Sequence, residues 1–233
     1  MRDDVVSRAL AQGRSILDEH EAKGLLSIFG IPVTRERLVT KKKDLAAAVR
    51  EVGLPCALKA CSPAIAHKTE LDLVRLNIAS LAAAARAYAE IRQAMGDAPG
   101  GVLVQEMVSG RRELAAGMTR DEQFGPCVMF GLGGIFTEIL KDVSFRKAPL
   151  TRQDALAMMD EIRGHRILEG VRGMEPVDRE RLAAILMTVG AIATRDARIK
   201  EIDINPLIVR RGTPVAADAL IVLDDGGRAT KRP

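Results

Sequence analysis

Apolar and polar positions change period several times along the chain, and those changes mark its elements. From Asp18 to Phe29 the apolar positions recur at helical spacing. Asp18 and Glu21 stand at the separation of a capping box and Gly30 follows the run, so a helix is expected there. Pro32 imposes an extended exit. Residues 33–39, VTRERLV, alternate as a half-buried strand does, and Thr40 can cap an Ala-rich helix ending at Gly53. CALKA at 56–60 reads as a short buried strand and LDLVRLNI as another, with Ser80 capping a helix from Leu81 to about Met95. GDAPGG, at 96–101, is the densest turn signal and the expected internal boundary.

Beyond that turn the pattern predicts strands at 102–108, 113–119, 127–130 and around 137–141, with a Gly-rich turn, GLGG, at 131–134. Thr151 should cap a short helix. The run from Asp178 to Ala193 puts Leu182, Ile185, Leu186, Val189 and Ile192 on one face, and strands near 199–204, 206–210 and 214–223 close the chain. Helices and strands do not alternate strictly, which favours an α+β (mixed α/β) fold over a doubly wound sheet. The expected organisation is an N-terminal helix plus first lobe over 1–100, a second lobe over 101–225 and a polar tail at 226–233.

Composition narrows the function. With 233 residues, 47% of them hydrophobic, the chain can bury a large core. Its 35 Lys and Arg against 31 Asp and Glu are interleaved in sign, and there is no Trp and a single Tyr, so neither a basic arm nor a base-stacking platform for nucleic acid is present. A mild basic excess suits acidic small molecules such as nucleotides and CoA. Cys56, Cys61 and Cys127 have neither disulfide-framework nor metal-ligand spacing, as befits a reducing compartment. The N-terminus is charged and nowhere do about 18 apolar residues run together, so a soluble cytoplasmic protein without a membrane partner is expected.

Four places could carry chemistry. Lys59 lies in an apolar strand, where an unpaired ammonium is costly to bury, so it should point to an anion or a carboxylate; the plainer alternative is an edge-strand lysine. The loop after it, 62–70, brings His67, whose neutral imidazole is a competent nucleophile toward a phosphoryl group, although a lone loop histidine is often only solvated. His20 and His165 read as surface residues. Gly131, Gly133 and Gly134 can let backbone amides approach phosphate oxygens, yet the stretch lacks the Lys-Ser/Thr of a P-loop and is otherwise a plain turn. Glu201, Asp203 and Asn205 alternate with isoleucines, so one strand face offers oxygens suited to Mg2+ and Asp218 on the following strand could complete the set.

Taken together, the stretches EAKGLLSIFGIPV, ALKACSPAIAHKTE, VLVQEMVSG, the segment from Arg111 to Thr151, and EIDINPLIV with VAADA resemble the ATP-grasp subunit of ADP-forming acetyl-CoA and acyl-CoA synthetases, relatives of the succinyl-CoA synthetase beta subunit, over residues 8–225. The resemblance implies an ATP-grasp fold of two lobes with ATP or ADP between them. It implies Lys59 on the nucleotide phosphates, the segment Gln105, Glu106, Met107 and Val108 along the adenine edge, and Glu113 beside ribose and phosphates. Mg2+ would fall to Asn205 and Asp218 with Asp203 close by, and His67 would be the phosphate carrier. It also implies a separate CoA-binding alpha-type subunit or domain, CoA lying on that partner in a hetero-oligomer. One departure stands out: a Gly-Gly pair usual after the histidine turn is Asp72-Leu73 here. Two other readings remain open at this level, a ligase that makes acyl phosphate directly without phosphohistidine, and a degenerate nucleotide-sensing module.

Overall fold

The computed structural model describes residues 4–65, 73–134, 140–170 and 173–224. In chain order the elements are α1 (Val5–Ala11), β1 (Ile16–Leu17), α2 (Glu19–Ile28), β2 (Glu36–Val39), α3 (Leu45–Val52), β3 (Cys56–Cys61), β4 (Val74–Ile78), α4 (Leu81–Met95) and β5 (Gly101–Glu106). They continue with β6 (Glu113–Asp121), β7 (Gly125–Leu132), β8 (Val143–Lys147), α5 (Arg152–Glu161), α6 (Arg179–Arg195), β9 (Ile199–Arg210), β10 (Thr213–Ala216) and β11 (Leu220–Leu223). Two compact units result. One takes Met1–Leu17, Glu21–Val33 and Ser109–Pro233, the other Asp18–His20 and Thr34–Val108, each as far as its residues are described.

The smaller unit is an antiparallel sheet in the order β2-β5-β3-β4. Leu58 and Ala60 of β3, Val102 and Val104 of β5 and Val39 of β2 point to one face, where they pack with Val49 and Val52 of α3 and Ala84, Tyr88 and Ile91 of α4. Ser80 caps α4 as its position predicts, accepting from the Ala83 amide at 3.2 Å. Thr40 is not a cap. Three lysines follow it, and a cluster of positive charge at the amino end of a helix opposes the helix dipole; the chain makes a 3-10 turn at Lys42–Asp44 instead, and α3 begins at Leu45 with Asp44 as N-cap residue.

The division at residue 100 moves as well. β5 follows the GDAPGG turn directly and lies between β2 and β3, in the interior of the sheet. Gly100, at φ +113°, is pressed so close to β3 that an added Cβ would stand 2.1 Å from the Cys61 carbonyl oxygen. A turn held this way is a packed connection, and the change of unit falls after Val108.

The larger unit has a seven-stranded sheet among the described residues, β1-β11-β9-β6-β7-β8 with β10 also paired to β9. Helices α5 and α6 cover one face. Leu182, Ile185, Leu186, Val189 and Ile192 of α6 are all buried there with Met118, Val128, Phe130, Ile202 and Ile204 of the strands. Thr151 and Asp154 form a reciprocal capping box on α5, and Asp178 caps α6. The strand at 143–147 was not legible in the pattern, whereas most of that expected at 137–141 lies outside the described residues.

Arg112, the buried residue just before β6, donates to the carbonyls of Ile167 and Glu169 at 3.1 Å each and to that of Glu175, tying these residues to the start of the strand. Desolvation lowers its pKa.

Phe130 fills the core with no exposed surface, so Phe130→Ala should cost about 3–5 kcal/mol of stability in guanidinium unfolding. Phe124, 59% exposed, supplies the contrast: Phe124→Ala should stay within about 0.5 kcal/mol of the parent.

Candidate functional site

β9 supplies the frame for the oxygen-bearing residues. Its burial alternates as the sequence pattern predicts: Ile202 and Ile204 are buried, Glu201 exposed, Asp203 and Asn205 half-buried. The two strands expected at 199–204 and 206–210 are one. Between them the register against β6 slips, Ala116 facing Ile204 but Leu114 facing Leu207, so β9 carries an extra residue around Asn205 and Pro206. A bulge of this kind re-aims the side chain at its centre, and proline suits it because it has no amide to offer the ladder.

Asn205 uses that bulge to meet the Gly-rich turn. Its Oδ1 accepts from the Gly134 amide at 3.0 Å, while the Gly133 amide donates to the Glu113 carbonyl at 2.8 Å. The turn thus links the start of β6 with the centre of β9, and the amides of Gly133 and Gly134 are already engaged in this conformation. Gly134 also lies at φ +62°, and a Cβ there would stand 2.2 Å from Oε2 of Glu113. Gly131 is a β7 residue whose Cβ would meet the Asp142 carbonyl at 2.6 Å. Close approach of backbone and carboxylate therefore accounts for these glycines locally.

Asp218 is not on a strand: it lies in the bend between β10 and β11, its Oδ1 accepting from the Ala219 amide at 2.8 Å. Ala217-Asp218-Ala219 interrupts what the apolar pattern suggested was one strand. Asp203 faces Leu220 across the β9–β11 ladder, two residues from Asp218. Burial pushes the Asp203 carboxyl up to about 6, and the nearby carboxylates of Glu201 and Asp218 push it the same way. Repelling carboxylates beside an amide oxygen fit a hard divalent cation, which would relieve the repulsion. Among the described residues no group of three or more His, Cys, Asp and Glu side chains is placed to hold a metal alone. The donor set accordingly suits Mg2+ that keeps water or phosphate ligands, rather than an all-protein cage.

In the smaller unit Lys59 occupies an inner strand, not an edge. It is 6% exposed, and its Nζ donates to Oε1 of Glu19 at 2.9 Å. Of the two partners expected for a buried lysine, the carboxylate is the one in place. Glu19, the first residue of α2, was missed; its negative charge in a first helical turn reads equally well as a favourable dipole contact. Gln105 pairs with Glu36 and Ala57 in the strand registers and so shares the face of Lys59. Glu106 is buried, its carboxylate accepting from the Arg35 amide at 3.0 Å and Arg35 Nε at 3.1 Å, its own amide donating to the Arg35 carbonyl at 2.9 Å. Met107 is half-buried and Val108 buried. His67 and Asp72 lie outside the described residues, and Leu73 is buried. His20 is exposed with Nδ1 2.9 Å from Glu36; His165 lies in a 3-10 turn.

Comparison with known proteins gives these observations a context. The sequence model of the ATP-grasp domain matches residues 8–223. The beta subunit of ADP-forming acetate–CoA ligase I from Pyrococcus furiosus is 43% identical over 225 residues, covering 94% of this chain and 97% of its own. A solved acetyl-coenzyme A synthetase 1 from Ca. Korarchaeum cryptofilum, in complex with coenzyme A and Ca-AMPCP, superposes with a TM-score of 0.92 at 41% identity, covering 96% of this chain and all of its own. Another structure of that enzyme, holding coenzyme A and Mg-AMPPCP with its phosphohistidine segment pointing towards the nucleotide binding site, gives 0.84 at 42% identity and covers 95% and 99%. This chain belongs to the ATP-grasp family and, within it, to the beta subunits of ADP-forming acetate–CoA ligases. No helix among the described residues is long and apolar enough to cross a membrane.

Two predictions follow from the larger unit. Gly134→Ala should lose more stability in urea unfolding than Gly125→Ala. Both pay about 1–2 kcal/mol for a left-handed backbone, but Gly125, at φ +74°, has nothing within 4 Å of its added Cβ, whereas Gly134 must displace the Glu113 carboxylate. In chelator-treated protein Asp203 should titrate near 6, above its ordinary 3.8. The native state then holds that proton more tightly than the unfolded chain, so the associated stability is present below about pH 4 and lost as pH rises through about 6. Asp203→Asn should abolish that part of the pH dependence of thermal unfolding.

Proposed function

We propose that this chain is the nucleotide-binding subunit of an ADP-forming acyl-CoA synthetase, catalysing with a CoA-binding partner the conversion of a carboxylate, CoA and ATP to acyl-CoA, ADP and phosphate. The observation that carries the proposal is the relationship to the Pyrococcus furiosus beta subunit over nearly the whole of both chains. The proposed roles fall in each unit as the family relationship implies. From the smaller come Lys59, an ammonium suited to phosphate oxygens, and the segment Gln105, Glu106, Met107 and Val108, whose backbone would read the adenine edge. From the larger come Glu113, for ribose and phosphates, and the turn with Gly131, Gly133 and Gly134 that joins Glu113 to Asn205.

Asn205, Asp218 and Asp203 would hold Mg2+, which when bound offsets charge on the phosphate oxygens. His67 is the acceptor in this reading. An imidazole nitrogen bonds to the γ-phosphorus as the bond to the ADP oxygen breaks, and ADP leaves with that electron pair. The chain's contribution is positioning and charge compensation, which carry most of phosphoryl transfer. The phosphoryl group then passes to the partner subunit, where CoA is bound and a carboxylate is activated as its acyl phosphate. Thiol attack on that mixed anhydride releases phosphate and leaves the thioester. Cytoplasmic location accords with reliance on ATP and CoA.

Intact mass after incubation with Mg-ATP, kept alkaline because phosphohistidine is acid-labile, should show one added phosphoryl group on the parent and none on His67→Ala. An active His67→Ala complex would replace the shuttle with direct acyl-phosphate formation. Tight nucleotide binding without phosphorylation or turnover, partner present, would make the chain a nucleotide sensor.

A further inference from the structure

Lys59 and Glu19 form a buried ion pair of unusual placement. Lys59 stands on β3, with a strand on either side, and its side chain is 8% exposed; the Glu19 side chain is 1% exposed. Glu19 reaches it from the first turn of α2, 40 residues earlier in the chain. That turn is held to the same sheet at a second point, His20 Nδ1 lying 2.9 Å from Oε1 of Glu36, which faces Gln105 in the ladder. The first turn of α2 therefore meets the sheet at two places, through the carboxylate that accepts from Lys59 and through the neighbouring histidine.

We infer that Glu19 is the positioning residue for Lys59, holding its ammonium aimed for the phosphate groups of the nucleotide. The inference rests on the reading of Lys59 as a phosphate contact. An ammonium carries several N–H donors on a flexible stem, so it can hold a carboxylate and phosphate oxygens together, but alone it explores many rotamers. A rigid carboxylate removes that freedom. Protein kinases solve the same problem with a strand lysine paired to a helix glutamate. Here the helix is α2 and the glutamate its first residue. The consequence is selectivity: Glu19 should matter for ligands that carry a phosphate chain and be indifferent to the nucleoside.

The test is calorimetric titration of the full chain with Mg-ADP and, separately, with adenosine, for the parent, Glu19→Gln, Glu19→Asp and Lys59→Ala. Glu19→Gln should weaken Mg-ADP binding by roughly tenfold, the usual scale for loss of a charge-assisted contact, and leave adenosine within about twofold. Combining Glu19→Gln with Lys59→Ala should weaken Mg-ADP no further than Lys59→Ala alone, because both act through one ammonium. Should Glu19→Gln fail to fold, Glu19→Asp decides: it keeps the charge on a shorter stem and should weaken Mg-ADP selectively, by less. An unchanged ratio of ADP to adenosine affinity in the folded Glu19 variant, with Lys59→Ala lowering it, overturns the positioning role and leaves the Lys59 reading standing. If Lys59→Ala itself leaves the ratio unchanged, the phosphate reading of Lys59 fails and the inference with it.

Discussion

The larger unit is organised by one requirement, that β9 bury its isoleucines while keeping its oxygens out of the core. Ile202 and Ile204 enter the apolar layer under α5 and α6, and strict alternation turns Glu201, Asp203 and Asn205 away from it. A one-residue slip of β9 would exchange the two sets, at the cost of a buried carboxylate, so the same burial that stabilises the sheet fixes the direction of the polar residues. The bulge at Asn205 is a local exception inside that rule. It restores Leu207 and Val209 to the core after the break and leaves the amide free to take up the Gly134 N–H.

The Asp203 carboxyl shows what this direction costs. It is set half-buried into a strand with Glu201 and Asp218 near, and burial and the two carboxylates all push it toward its neutral form. A divalent cation placed among these carboxylates would relieve that repulsion.

How much of this was legible follows from which forces were local. Helices α4, α5 and α6 were readable because a cap residue and an apolar stripe agree within a few positions, as Ser80, Thr151 and Asp178 show. The face of β9 was readable for the same reason, since alternation is a property of adjacent residues. What depended on distant partners was hidden. Glu19 gave no sign that its carboxylate would be claimed by a lysine 40 positions on, and the engagement of the Gly133 and Gly134 amides depends on Glu113 and on the bulge. GDAPGG looked like an internal boundary because turn residues announce a change of direction without saying what packs against them. The β3 carbonyl lying where a Cβ on Gly100 would go could only come from the fold. Alternation alone suggested oxygens for a cation at Asn205 and, with Asp218, a fuller set, and the family resemblance implied the same two residues.

Arg112 illustrates a different economy. Three carbonyls, those of Ile167, Glu169 and Glu175, converge on one guanidinium, so these described residues are held by a side chain rather than by a ladder. The planar fork of arginine meets acceptors arriving from separate directions, which the single point of a lysine ammonium cannot do. One side chain thus acts as a single button for three points of the backbone, and cutting that thread would release all three at once.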